Sequence, residues 1–165
     1  MNNIYHWELP LEVTKFHPEK VPNHFDQSYP DIFTLYPAIS NNNYYINATI
    51  KRENSGPFSS LTSGFIILSG LLNTLPDAVQ IKNIDMTVVD ANGVKFLTHN
   101  QIDPKNLPNG FPTPKVTADT DLGPIPQWSA GDIVEYATKA GILPPSKDNI
   151  YPLTHKEYIQ INNLI

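Results

Sequence analysis

No cysteine is present, so thiolate chemistry is excluded, and histidine, carboxylate, hydroxyl and aromatic side chains are the first candidates. Five histidines are present, His6, His17, His24, His99 and His155. His17, His24 and Asp26 lie within ten residues and are ligand types suited to a metal. Their spacing matches no zinc motif and the stretch is rich in proline, so they read as solvated loop residues. Asp119-Thr120-Asp121-Leu122-Gly123 starts like a calcium loop but lacks the third oxygen ligand, the glycine placement and the terminal glutamate. Asp90-Ala91-Asn92-Gly93 is equally incomplete, and hairpin geometry accounts for it without a cation. The expectation is no metal site and no cofactor.

Covalent catalysis is no better supplied. There is no Gly-x-Ser-x-Gly elbow, no cysteine nucleophile, no Gly-x-Gly-x-x-Gly and no P-loop. Ser59, Ser60 and Ser63 sit in a linker-like stretch. Glu8 and Glu12 could form a carboxylate pair on the polar face of one strand, where plain solvation is the simpler reading. The sequence therefore points to a protein that is not an enzyme. A small enzyme with its site assembled from distant residues is the least favoured reading.

Aromatic residues are the stronger candidates for binding, because they offer large contact area at low entropy cost. Trp7, Tyr44, Tyr45, Trp128, Tyr136, Tyr151 and Tyr158 form the pool, with burial in a β core as the competing role for each. Tyr45 is the best exposed candidate, since its neighbour Tyr44 shares a face with Ile46 and Ile50. Trp128 ends a long loop. Phe111 and Ile125 anchor that loop, together with Leu107, Val116 and Leu122.

These residues must be held by elements, and the elements read mainly as strands. Positions 5, 7, 9, 11 and 13 are all apolar, which is strand periodicity. Pro10 cannot donate to a ladder and predicts an edge strand. Residues 44–51 alternate as a half-buried strand, and Asn41-Asn42-Asn43 marks a turn before it. Ile32–Tyr36 could be one further strand. Residues 64–72 are apolar on both faces and read as a central strand, with Gly70 at a bulge. Residues 79–89 change phase near Asn83, which predicts either a bulge or a bend where the strand changes sheets. Asp90-Ala91-Asn92-Gly93 reads as a hairpin turn returning into 94–98, with Gly93 at positive φ. One helix is predicted over 130–140, capped by Ser129 and stopped at Gly141. Residues 154–165 carry both a capping box, Thr154 with Glu157, and a strand-like alternation; helix is preferred.

The predicted fold is thus a single domain, residues 1–165. It is mainly β, an antiparallel sandwich of immunoglobulin-like or jelly-roll-like kind, with one short helix and extended loops at 14–43 and 100–128. Composition agrees: 16 prolines, 17 asparagines and only 16% charged residues disfavour long solvated helices.

Net charge is −5 and Arg52 is the only arginine, which disfavours nucleic acid and anionic membrane surfaces. No apolar run approaches the roughly 20 residues a membrane span needs, and the first residues have neither the basic nor the apolar region of a leader. Synthesis in the cytoplasm is expected. The function these features favour is a structural or interaction protein, a subunit of a phage or virus particle, a secretion-type machine or a surface fibre. The alternative is a free-standing module binding a carbohydrate or a protein, including an immunity or inhibitor protein.

Overall fold

Two alternating segments make the centre of the molecule. Trp7, Leu9, Leu11 and Val13 from one, and Ile46, Ala48 and Ile50 from the other, all turn into one core. The computed structural model describes residues 5–16, 33–52, 61–75, 78–143 and 150–165. Along these the order is β1 (Tyr5–Val13), β2 (Phe33–Ser40), β3 (Asn43–Arg52), α1 (Leu61–Asn73), β4 (Ile81–Ile84), β5 (Val88–Val89) and α2 (Ala91–Leu97). Then come β6 (Val116–Thr120), β7 (Gly123–Ser129), α3 (Ala130–Lys139), β8 (Ile150–Pro152) and α4 (His155–Asn162). Strands and helices occur in comparable amounts, and neither sheet closes. The expected all-β sandwich is therefore corrected to a mixed fold with two open sheets.

The larger sheet runs β2-β3-β1, with β4 and β8 sharing the far edge of β1. β2 and β3 form a hairpin through Asn41 and Asn42, whose φ values of 50° and 64° suit a primed two-residue turn. On the other side of β1, β8 runs parallel to His6–Glu8 and β4 antiparallel to Leu11–Val13. Pro10 is thus in a central strand, not at an edge. Its carbonyl accepts from Asp85 N at 2.9 Å, so its ring nitrogen faces the same side. That side is the gap between β8 and β4, where no ladder donor is needed.

The segment expected as a central strand is α1. Leu61, Phe65, Leu68 and Leu72 form a buried stripe at helical spacing, while Ile66 and Gly70 face outward. Gly70 is therefore no bulge. Gly64 lets α1 lie close to β3, since a Cβ there would stand 2.7 Å from Ile50 Cγ2. Leu153 and Ile161, flanking and within α4, complete this first core. The capping box of α4 is present, and Glu157 also accepts from Trp7 Nε1 at 2.7 Å.

The phase change near Asn83 is where the chain crosses sheets: β4 belongs to the larger sheet and β5 to a second, ordered β5-β7-β6. Beyond it the expected hairpin is replaced by a helix. Asp90 caps α2, its carboxylate accepting from Gly93 N at 3.0 Å. Gly93 is helical, and what requires glycine there is the close approach of Val89. Residues 94–98 accordingly belong to α2 and its cap. Val94, Ile102, Trp128 and Ile133 form a second, smaller core with α2 and α3 around it. α3 is capped by Ser129 as expected, and Gly141 ends it at φ 76°.

Among the described residues, the two cores are stitched where α3 begins. Ser129 Oγ donates to Leu153 O at 3.3 Å, and Asp132 Oδ1 accepts from His155 N, the first residue of α4, at 3.0 Å. Gly131 lies against the Leu153 carbonyl so closely that any Cβ would collide with it.

Candidate functional site

Sequence reasoning offered four binding residues, and the structure does not gather them into one site. Trp128 is buried, 4% exposed, and its Nε1 donates to Pro112 O at 3.1 Å. Phe111 packs edge-on against Tyr136 with ring centroids 5.1 Å apart. Both are parts of the second core rather than free binding groups. Tyr45 is half-buried on the polar face of the larger sheet, opposite Glu12. Ile125 is half-buried in β7.

The chemistry-bearing groups are similarly accounted for. Glu8 accepts from Asn47 Nδ2 at 3.0 Å, and Glu12 pairs with Lys82 at 3.6 Å, so the two carboxylates engage separate partners. Asp119 and Asp121 flank the tip of a hairpin in which Thr120 Oγ1 donates to Gly123 O at 2.7 Å. His17, His24, Asp26, Ser59 and Ser60 lie outside the described residues. Ser63 lies in α1. Among the described residues no three histidine or carboxylate side chains gather as metal ligands. Nor, among them, does any buried side-chain polar atom lack a hydrogen-bond partner. No helix of the described chain is long and apolar enough to cross a membrane.

What stands out is the hairpin β6–β7, in a segment whose prolines masked any period. Five residue pairs, from Val116↔Gln127 to Thr120↔Gly123, make it two strands wide, because β5 pairs only with Trp128 and Ser129. The prolines explain this. Gln127 O accepts from Lys115 N on the β6 side, and Ala130 N donates to Thr87 O on the β5 side. Alternation therefore puts the nitrogens of Pro124 and Pro126 on the β5 side, where they can donate nothing and β5 ends. Exposure rises from the buried base at Trp128 and Ser129 to Leu122 at the tip, which is 95% exposed. Val116 on β6 is also exposed. Among the described residues nothing pairs with the outer edge of β6. The rest of the long segment folds back, with Ile102 buried and Phe111 packed on the second core.

Compared with known protein families, curated proteins and solved structures, the chain matches none.

Proposed function

We propose that the protein is a non-enzymatic interaction subunit that joins a larger assembly, and that the β6–β7 hairpin is its contact arm. The supporting observation is the arm's own marginality. A two-stranded hairpin, exposed on one face, only half-buried on the other and about 17 Å long at five residues per strand, is barely stable by itself in water. A third strand on the free edge of β6 would supply the missing ladder, and Leu122 and Val116 would supply apolar contact. Pro124 and Pro126 block the same addition on the β7 side, so the arm offers one edge and not two. The absence of a catalytic grouping among the described residues is compatible with this reading but does not carry it.

Solution mass by light scattering tests it. Wild-type protein is expected to form a defined oligomer. Leu122→Asp should weaken it without loss of the fold, since Leu122 makes almost no contact within the chain. Thr117→Pro should do the same, because alternation turns the Thr117 N–H outward and away from β7. A monomeric wild-type chain, or an oligomer indifferent to both changes, would remove this role from the arm.

A further inference from the structure

We infer that the cleft at the C-terminal end of α2 is a binding site for an acidic saccharide, a pyranose carrying a carboxylate or sulfate. Asn92, Lys95, Phe96, His99 and Asn100 line an open cleft of about 490 Å³, inside the roughly 300–1,000 Å³ range of small-molecule sites. Phe96 is 79% exposed, an aromatic ring left in water on a seven-residue helix. Asn92 and Phe96 are one helical turn apart on α2 with Lys95 beside them, and His99 and Asn100, past the helix cap, complete the lining.

Among the described residues, the side chains of Asn92, Lys95, His99 and Asn100 have no hydrogen-bond or ion-pair partner. Two amides can donate to and accept from hydroxyl groups, while the lysine ammonium and the imidazole can face an anion. No carboxylate lines the cleft, in a chain whose net charge is −5. A ring with one open face suits the C–H face of a pyranose, with hydroxyl groups reaching the surrounding amides. An acidic chain with one arginine is poorly suited to the phosphate of a nucleotide.

The turn that shapes the cleft is held at a cost. After α2, His99 N donates to Phe96 O at 3.2 Å and Asn100 N to Lys95 O at 2.7 Å. This is the paired closure that usually places glycine at the first residue past the cap. α3 ends by the same closure with Gly141 there, and Ile142 following it packs on the second core. α2 uses His99 and Asn100 at φ 52° and 62°, and both remain exposed. Asn and His enter this conformation more readily than other non-glycine residues, so the turn sets these two side chains at the cleft at modest cost. This inference is independent of the contact arm, which lies on a different element.

The test is an NMR titration of the full chain with methyl glucuronide, methyl glucoside and AMP as separate probes. Saturable shifts confined to residues 92–100 are expected with the glucuronide. Its binding should be about tenfold tighter than that of the glucoside, the scale of one charge-assisted hydrogen bond. Phe96→Ala should abolish the shifts with the rest of the spectrum unchanged, and Lys95→Gln should bring the two sugars to parity. His99→Gly should raise the melting temperature while weakening glucuronide binding. The assignment is overturned by no saturable shift, by shifts that survive Phe96→Ala, by equal binding of the glucoside, or by AMP binding at least as tightly as the glucuronide.

Discussion

His99 shows what one side chain can reveal against its own backbone. Left-handed conformation costs a non-glycine residue roughly 1–2 kcal/mol, while glycine gives back about 0.4–1 kcal/mol through the entropy of its unfolded state. At the middle of those ranges relief outweighs entropy, so His99→Gly should stabilise the protein by about 0.8 kcal/mol in urea denaturation. An unchanged or lower stability would show that the His99 imidazole contributes to folding after all. Gly131 runs the opposite way. A methyl group there meets the Leu153 backbone, which cannot rotate aside, so Gly131→Ala should cost about 1–3 kcal/mol by overpacking. Neither position declares itself in the sequence. A histidine after a helix and a glycine inside one acquire meaning only from a φ angle or from a neighbour more than twenty residues away.

At the scale of elements, α1 decides between strand and helix by a measurable difference. Ile66 and Leu68 would share one face of a strand, whereas on a helix they point nearly apart. Leu68 is fully buried and Ile66 is mostly exposed. Leu68→Ala should therefore cost about 2–5 kcal/mol, and Ile66→Ala about 0.5 kcal/mol or less. Similar losses at both sites would restore the strand. The reason α1 escapes a reading by periodicity is that Ile66, Ile67 and Leu71 fill the spaces between its buried stripe, and no charged residue marks the solvent side. β1, β3, α3 and α4 were legible because alternation or caps singled out one face or one end. α2 was misread because Asp followed three residues later by Gly serves a helix cap as well as a hairpin turn. The β6–β7 hairpin is hidden by Pro124 and Pro126, which look like loop residues until their common phase is seen. Phe96 reads from the sequence as part of a strand over 94–98, and His99 falls between that strand and the loop at 100–128, so nothing in the sequence brings the two together.

For the whole molecule, the feature with the widest reach is the shared edge of β1. Asp85, leaving β4, is bonded beside Pro10, and Ile150, opening β8, sits beside His6. These two anchor points are four residues apart on one strand, about 13 Å. Everything between them, including the second core, the cleft and the arm, leaves from and returns to almost the same place. Replacing residues 87–148 with a short Gly/Ser bridge should then leave the first core able to unfold cooperatively in urea, with Trp7 as the sole remaining tryptophan to report it. Loss of the contacts of Ser129 and Asp132 should loosen α4, and a non-cooperative transition would show that the cores fold only together. The cost of closing such an excursion rises by only about 0.6 kcal/mol for each doubling of its length. The first core is thus a socket: a lineage can lengthen, shorten or exchange what is plugged into that edge while the socket keeps its own sequence and register.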